Sequence, residues 1–392
     1  MKATIKTFQS GSGDCIFLVL SDDDNKYVIM VDCGNYTKSI KEYVENTLQK
    51  HIDLLIVTHI DSDHVNGVVR MLRQNQDLYI GRILYNCYQQ VNAEQQRPMP
   101  EVVKADIEKL TQRLPAVVVE NNQKIGIEQA STLAQLILEH EQWSQVWHHD
   151  CYITNGTEPI DLGNGFGCLA FLSPRQEDLN VLDEQFRKEY KRLTHHLASD
   201  QLYTGQETLY ELVLRMVEMK RKYYSLEKSK KVSNPTDKLT DRVLKEAYQF
   251  VPEGITDENR ASIAFVWQGG EKKVLFMGYA EPNIVKNELG GEPQRYEAIK
   301  VSHHGSKHST SIELMRVADS MHYFLTGGNK MDKPSIEAIM KIVKRENESM
   351  RTLHWNYKNN DLMKKLSTEE CRPMREQYHF ELSETNEYEF EY

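Results

Sequence analysis

Short apolar segments with the two-residue period of β-strands dominate the beginning of the chain. Their apolar residues alternate with polar ones or form short uninterrupted runs, and many are β-branched. One segment differs, because Ile40, Val44 and Leu48 recur at helical spacing and predict a helix over residues 37–49. The predicted strands are residues 3–9, 15–20, 26–31 and 53–58, and the last is apolar enough to be buried on both faces.

Strand-like and helix-like segments continue to alternate along most of the chain. Alternation of this kind is typical of α/β folds. Further helices are predicted at residues 64–74, 100–114, 129–139 and 335–345. Further strands are predicted at residues 79–85, 116–119, 165–172, 261–268, 273–277, 299–301 and 322–326, with an edge strand in the tail over residues 378–392.

Residues 176–259 have a different pattern, because charged residues become denser and strand-like segments are missing. The pattern predicts long helices at residues 177–197 and 207–228. We interpret this part as a helical insertion that divides one α/β domain into residues 1–175 and residues 260–392, the second half carrying a C-terminal extension. The insertion is either a lid or packing element, or a surface for a protein partner.

The composition is that of a globular protein with an acidic surface. The 392 residues are 40% hydrophobic and 27% charged, with a formal net charge of -10. This balance argues against a generally basic nucleic-acid-binding surface, although a bound metal would supply local positive charge. No apolar run approaches the roughly 18 residues of a membrane span, no apolar signal segment is visible, and the cysteines form no CxxC pair. We therefore expect a soluble cytoplasmic protein with reduced thiols and no membrane association.

The strongest candidate for chemistry is the sequence THIDSDH at residues 58–64, which directly follows the predicted buried strand. Its side chains His59, Asp61, Asp63 and His64 are all of metal-ligand type, and imidazole and carboxylate ligands suit zinc, manganese and iron. A tight turn lets His59 and Asp61 share one ion while Asp63 and His64 face a second. The alternative is a polar loop in which Asp63 caps a helix that starts at His64. The density of ligand-type residues favours the metal site.

Two further motifs place polar residues at the ends of predicted strands. Residues 299–306 run from an apolar strand into His303, His304 and a glycine that permits a tight turn. Asp32 follows the strand at residues 26–31 and would accept a hydrogen bond from the second ring nitrogen of a ligand histidine. Each motif also has a simpler interpretation, a surface loop for the histidine pair and a common Asp-x-Gly turn for Asp32.

In this order, the sequences VDCGN, THIDSDHVNG and KVSHHGSKHSTS resemble the metallo-β-lactamase superfamily, and most closely the hydrolase domain of the ComEC competence proteins and their soluble relatives. Those proteins carry His-x-Asp-x-Asp-His where the commoner pattern is His-x-His-x-Asp-His. The resemblance covers roughly residues 1–175 and 260–355. It implies an α/β fold, an αββα sandwich with metals at the mouth between the two sheets. The implied cofactor is Zn²⁺ or Mn²⁺, with one or two ions per chain.

The resemblance also assigns roles to individual residues. The superfamily hydrolyses its substrates with a metal-bound hydroxide, and Asp63 is the residue expected to orient or deprotonate the nucleophile. His304 and Lys333 are further candidates for a catalytic role. The implied metal ligands are His59, Asp61, Asp63, His64 and His303.

The chain departs from the superfamily pattern around the second ion. Tyr279 stands where a metal-bridging Asp is usual, and a neutral phenol is a poor bridge. Lys333 replaces the histidine of a His-Pro pair that is common in ComEC relatives. The site then binds a single ion, recruits Glu281 as a substitute ligand, or has lost its activity and serves for binding. A third ligand for the first ion is also missing, and His148 and His149 are either candidates for it or part of a polar strand edge.

Three functions are compatible with these motifs. The first is a phosphodiesterase or nuclease acting on a nucleic acid or nucleotide, a substrate class that comes from the ComEC resemblance alone. Lys300, Lys307 and Lys333 lie within or near the motifs and are candidates for binding phosphate. The second is a degenerate subunit that binds a protein partner through the helical insertion, in a multi-component system such as phage defence. The third is a hydrolase of esters, amides or thioesters.

Overall fold

The computed structural model describes residues 1–87, 132–148, 151–193, 210–218, 239–252, 254–326, 333–357 and 360–392. The helix predicted at residues 100–114, the strand predicted at residues 116–119 and His149 lie outside the described residues. In the described part of the chain, no helix combines the length and the apolar character needed to cross a membrane.

Two large β-sheets contain most of the described strands. Numbered in chain order, these strands are β1 (Lys2–Thr7), β2 (Ile16–Ser21), β3 (Lys26–Val31), β4 (His51–Ile52), β5 (Leu54–Val57), β6 (Tyr79–Ile80), β7 (Ile83–Tyr85), β8 (Trp147–His148), β9 (Ile160–Asp161), β10 (Cys168–Ser173), β11 (Ala264–Gly269), β12 (Lys272–Phe276), β13 (Gln294–Tyr296), β14 (Ala298–Lys300), β15 (Ala318–Ser320), β16 (His322–Leu325), β17 (Arg351–Trp355), β18 (Phe380–Ser383) and β19 (Glu387–Glu391). The first sheet has seven strands in the order β19-β1-β2-β3-β5-β7-β8. The second has eight in the order β18-β17-β16-β14-β12-β11-β10-β9. The pairs β4 with β6 and β13 with β15 form small two-stranded sheets.

The described helices connect the strands, and most of them are short. The α-helices are Lys38–Glu42, Ser62–Gln74, Leu133–Glu139, Glu141–Val146, Gln176–Leu193, Asp241–Gln249, Asp257–Arg260, Pro282–Glu288, Ile312–Val317, Ile336–Val343, Asp361–Ser367 and Arg372–Gln377. Residues 210–218 are also helical. Within the described parts of residues 176–259, all regular elements are helices. The division of the chain into a split domain and an insertion stays a prediction.

Strand β2 is buried on both faces because its alternate side chains enter two different hydrophobic cores. Leu18 belongs to the core between the two large sheets, together with Phe265 of β11. Phe17 belongs to the core between the first sheet and its helices, together with Val68 of the Ser62–Gln74 helix. This two-sided burial explains why the strand is almost wholly apolar in sequence.

A third core lies between the second sheet and its own helices. It contains Leu275 of β12 and Ile339 of the Ile336–Val343 helix. The layers are therefore helices, sheet, sheet and helices, because each sheet buries one face against the other sheet and one face against helices. This arrangement confirms the predicted αββα sandwich.

The polar motifs leave parallel strands at one edge of the sandwich. In the first sheet β3 pairs in parallel with β5, and in the second sheet β12 pairs in parallel with β14. Parallel neighbours have their carboxyl ends at the same edge of a sheet, where α/β proteins usually bind ligands. The backbone N–H of Ile263 donates to the carbonyl of Thr58 across 2.8 Å, which joins the two sheets at this edge. The segments that follow the four strands therefore meet.

Three elements differ from their prediction. The helix predicted at residues 37–49 is an α-helix only over Lys38–Glu42 and continues as a π-helical turn over Tyr43–Thr47. The strand predicted at residues 79–85 is two strands, because β6 pairs with β4 in a small sheet while β7 pairs with β5 in the large one. The single edge strand predicted within residues 378–392 is also two strands, and β18 and β19 each lie at an edge of one large sheet.

Candidate metal centre

The loop between β5 and the Ser62–Gln74 helix carries the first motif. The helix begins at Ser62, so Asp61 is its N-cap residue and Asp63 lies in its first turn. Asp61 makes no side-chain cap hydrogen bond to the helix. The alternative interpretation, in which Asp63 caps a helix that starts at His64, is therefore wrong.

Two glycines allow the start of this helix to approach neighbouring loops closely. A Cβ atom on Gly13 would lie 1.5 Å from the carbonyl oxygen of Asp63, and one on Gly34 would lie 2.4 Å from the same atom. A side chain at either position would displace the loop of residues 59–63. The glycines therefore fix this loop against the segments that follow β1 and β3.

Asp32 orients His64 from the end of β3. Asp32 has a left-handed backbone, with a φ of 57°. Its Oδ2 accepts a hydrogen bond from His64 Nδ1 at 2.7 Å, and its Oδ1 accepts one from the backbone N–H of Thr58 at 2.7 Å. His64 is fully buried, and its Nε2 has no hydrogen-bond partner among the described residues. A carboxylate on one ring nitrogen with the other left for an ion is the usual arrangement of a metal-ligating histidine.

The charge of Asp32 also changes the acidity of His64 in the metal-free chain. Burial alone would lower the pKa of the imidazole, but the charge of Asp32 and its hydrogen bond outweigh burial and raise the pKa to about 9. A metal ion at Nε2 would have to displace this proton, so metal binding to His64 releases a proton.

Three carboxylates gather beside His59 at the start of the helix. Asp61, Asp63 and Glu218 each offer an oxygen atom, and these oxygens all lie within 4.8 Å of one another. His59 Nε2 lies 3.8 Å from Asp61 Oδ2, and the rings of His59 and His64 have their centroids 4.0 Å apart. The structure thus brings all the ligand-type residues of the first motif together and adds Glu218 from the helical residues 210–218.

The second motif follows β14 as a tight turn with unusual backbone angles. His303 and His304 have φ values of 47° and 58°, and Gly305 follows with 80°. Non-glycine residues in this left-handed region cost about 1–3 kcal/mol each and are found mainly where surrounding contacts enforce them. The backbone N–H of His303 donates to the carbonyl of Gly278 at 2.9 Å, which holds the turn against the residue before Tyr279.

Tyr279 lies in the middle of the histidines. Its side chain is 1% exposed, and its ring stacks on His303 with 3.9 Å between centroids. The centroids of His64 and His59 lie 4.4 and 4.6 Å from that of Tyr279. The hydroxyl donates to Asp63 Oδ2 at 3.0 Å and is also hydrogen-bonded to His304 Nε2. Burial, followed by the charge of Asp63, raises the pKa of Tyr279 well above its usual value, so the phenol is neutral.

The phenol ring therefore lies where the resemblance places the second ion. That ion is expected among Asp63, His64 and His303, and Tyr279 contacts all three of them. A ring in contact with both imidazoles leaves no room for an ion between them. On the side of His59 and Asp61 the donor atoms remain close together, and there the residues fit a divalent ion.

His304 is held from behind by Asp14, a residue that the sequence did not single out. His304 Nδ1 lies 3.3 Å from Asp14 Oδ1, and Lys300 Nζ lies 2.6 Å from Asp14 Oδ2. Burial opposes ionisation of Asp14, but the charges of Lys300 and His304 outweigh burial and hold the pKa of Asp14 well below its usual value. Lys300 is 3% exposed and paired with Asp14, so the expectation that it binds phosphate is wrong.

The remaining candidates are divided between this centre and other places. Lys333 Nζ donates a hydrogen bond to His303 Nε2 and lies 5.9 Å from the centroid of the Tyr279 ring. Burial and then the charge of Lys333 lower the pKa of His303 well below its usual value. Glu281 forms an ion pair with Arg260 at 3.0 Å. His148 lies on β8, with its Nε2 3.2 Å from Cys151 Sγ.

Neither Glu281 nor His148 belongs to a cluster of metal-competent side chains in the described part of the chain. Asp14 and Glu218 contribute instead, and neither had a distinctive local signal. Asp14 ends a Gly-Ser-Gly stretch that is typical of a turn, and Glu218 is one of several acids in the charged insertion. Only the three-dimensional arrangement shows that they belong to the site.

The comparison with protein families agrees with the fold. Residues 10–137, which include the first motif and Asp32, match the metallo-beta-lactamase superfamily. The two-sheet sandwich and this match are together consistent with the α/β fold of the metallo-β-lactamase superfamily. Among solved structures, Zn²⁺-bound PqqB from Methylobacterium extorquens aligns over 100% of both chains, with a TM-score of 0.39 and 9% sequence identity. No curated protein matches the chain.

Proposed function

We propose that the protein is a metal-dependent hydrolase that works with a single divalent ion, Zn²⁺ or Mn²⁺. The observation that carries this proposal is the buried His64, which is held by Asp32 through Nδ1 and leaves Nε2 for an ion. The superfamily match of residues 10–137 supports it. When bound, the ion supplies a Lewis acid that polarises the substrate and lowers the pKa of a coordinated water.

The side chains of the centre have different proposed roles. His59, Asp61 and His64 hold the ion. Asp63 orients the attacking water and accepts its proton, and the Tyr279 hydroxyl fixes its carboxylate through the hydrogen bond at 3.0 Å. His304 was expected to act directly, but it is fully buried and both of its ring nitrogens have partners. We therefore assign His304 to positioning Tyr279.

Within this class we propose a phosphodiester substrate in a nucleic acid or nucleotide, as the ComEC resemblance suggests. Lys333 supports it, because the residue is partly exposed and its ammonium group, hydrogen-bonded to His303, places a positive charge at the centre that would attract an anionic oxygen. Lys307 lies near the second motif, with its Nζ 5.0 Å from the centroid of the Phe250 ring. The closer similarity to ComEC-type proteins stays a prediction.

Turnover of bis(p-nitrophenyl) phosphate by the chain loaded with Mn²⁺ or Zn²⁺ tests the proposal. We expect His59→Ala and Asp63→Ala each to reduce turnover at least about 100-fold while circular dichroism shows an intact fold. His51→Ala is the matched control, because His51 is exposed and pairs with Asp53 away from the centre. Wild-type turnover by either variant would disprove the site assignment. Turnover of a thioester or lactam reporter alone would favour the ester, amide or thioester alternative.

A second candidate function follows from the position of Tyr279. A phenol ring among the histidines is also what a degenerate centre would contain, and such a subunit would bind a protein partner through the helical insertion. This candidate requires that the wild-type chain binds neither Zn²⁺ nor Mn²⁺ and turns over no reporter. Stoichiometric metal binding with phosphodiester turnover would exclude it.

A further inference from the structure

The helical residues 210–218 lie along the beginning of the Ser62–Gln74 helix. Glu218 is 3% exposed, and both of its carboxylate oxygens accept hydrogen bonds from Ser62. The backbone N–H of Ser62 donates to Oε2 at 3.1 Å, and the hydroxyl donates to Oε1 at 2.9 Å. Four residues further along the helix, Asn66 Oδ1 accepts from Arg215 Nη2 at 2.5 Å. Two contacts one turn apart therefore fix this segment on the helix that carries the first motif.

These contacts place the Glu218 carboxylate beside the proposed ligands. Its oxygen and those of Asp61 and Asp63 lie within 4.8 Å of one another. Oxygen ligands about 2.1 Å from a shared ion lie roughly 3–4.2 Å from each other, so small shifts suffice for one ion to bind Glu218 and Asp61 with Asp63 beside it. Each carboxylate oxygen can accept a hydrogen bond and still donate a lone pair to an ion. The hydrogen bonds from Ser62 thus orient Glu218 without blocking it.

A second observation points to an ion at this place. The fully buried Nε2 of His64 has no hydrogen-bond partner among the described residues. The ring of His64 lies 4.0 Å from that of His59, whose Nε2 is 3.8 Å from Asp61. The ring of His59 is therefore close both to the buried imidazole of His64 and to the carboxylate of Asp61.

We propose that Glu218 is a ligand of the single ion, supplied by the insertion to the centre of the split domain. Glu218 takes the place of the third ligand of the first ion, which the sequence motifs do not supply. This inference rests on the proposed function. With Asp61, Glu218 makes the donor set rich in oxygen, and the imidazole nitrogens of His59 and His64 complete the set. Such a set favours Mn²⁺ relative to a three-histidine site, because carboxylates suit harder ions.

Glu211 provides a matched control on the same helical segment. It is fully buried and also accepts hydrogen bonds at the start of a helix, from the backbone N–H groups of Leu133 at 2.9 Å and Ala134 at 3.0 Å. It belongs to no group of metal-competent side chains among the described residues. If Glu218 only capped the Ser62–Gln74 helix, Glu218→Gln and Glu211→Gln would have similar effects on metal binding.

Titration of the full chain with Mn²⁺, followed by calorimetry and by electron paramagnetic resonance of free Mn²⁺, tests the proposal. We expect Glu218→Gln to weaken Mn²⁺ binding about 10–100-fold, while Glu211→Gln binds within twofold of the wild type. Glu218→Asp, which keeps the charge and withdraws the carboxylate, should also weaken binding and serves if Glu218→Gln does not fold. Wild-type affinity in a folded Glu218 variant, or an equal loss in Glu211→Gln, would overturn the proposal. A wild-type chain that binds no metal would instead refute the proposed function itself, and this inference with it.

Discussion

Asp32→Asn removes the charge that holds the buried imidazole of His64. Asp32 Oδ2 accepts from His64 Nδ1 at 2.7 Å. Burial opposes protonation of His64, but the Asp32 charge and hydrogen bond outweigh it and raise the pKa to about 9 in the metal-free chain. Asparagine keeps the shape of the side chain and one acceptor oxygen but carries no charge. Without that charge, burial dominates, and the pKa of His64 falls.

The magnitude follows from the pKa difference between the folded and unfolded states. The ordinary pKa of a histidine side chain is 6.5. A rise to about 9 corresponds to roughly 3 kcal/mol at about 1.4 kcal/mol per pKa unit. Because the folded-state pKa is raised, this stabilisation is fully present below pH 6.5 and is lost as pH rises through about 9. The metal-free wild type should therefore lose up to about 3 kcal/mol of unfolding free energy across that window relative to Asp32→Asn.

Urea unfolding at pH values from 6 to 10, with chelator present, measures this difference. Other groups titrate alike in both proteins, so the difference between the two pH profiles isolates the pair. Asp22→Asn is the control, because Asp22 is partly exposed in the loop between β2 and β3 and accepts from the backbone N–H of Asp24 at 2.8 Å. It should keep the wild-type profile between pH 6.5 and 9. Parallel profiles for the wild type and Asp32→Asn would refute the assignment of the pair.

Two further changes test the geometry of the centre. Gly13→Ala places a Cβ 1.5 Å from the Asp63 carbonyl oxygen. It should lower the unfolding free energy by about 1–3 kcal/mol and weaken metal binding, as thermal unfolding and metal titration would show. Gly254→Ala should change neither, because no atom lies within 4 Å of a Cβ there, and equal stabilities of the two variants would contradict the reasoning. Lys333→Ala should raise the KM for bis(p-nitrophenyl) phosphate several-fold with little change in kcat, and an unchanged KM would show that Lys333 does not contact the substrate.

The buried strands could be predicted from the sequence because their burial is two-sided. The residues of β2 and β5 enter cores on both faces of the first sheet, so their sequences are almost uniformly apolar. The first motif could also be recognised, because its possible metal ligands are close together in sequence. The strand boundaries within residues 79–85 were predicted wrongly, because they depend on which strands pair. The two strands within residues 79–85 have similar local sequences but pair in different sheets.

Contacts between distant parts of the chain could not be predicted in this way. Glu218 meets Ser62, 156 positions earlier, through helices that share no sequence pattern. Asp14 meets Thr326, 312 positions later. The sequence identified Tyr279 as an unusual residue, but only the structure shows its ring in contact with the histidines. Local sequence patterns indicate which residues are buried and which could bind a metal. Which distant residues join them in one site depends on tertiary packing.

The number of metal ions per chain tests the central claim most directly. Elemental analysis of the chain purified without chelators, and again after loading with Mn²⁺ or Zn²⁺, should give one ion for the wild type. Tyr279→Asp should raise the count towards two, because it replaces the ring that contacts His64 and His303 with a carboxylate. No ion in the wild type after loading would contradict the hydrolase proposal. Two ions in the wild type would show that Tyr279 does not exclude the second ion.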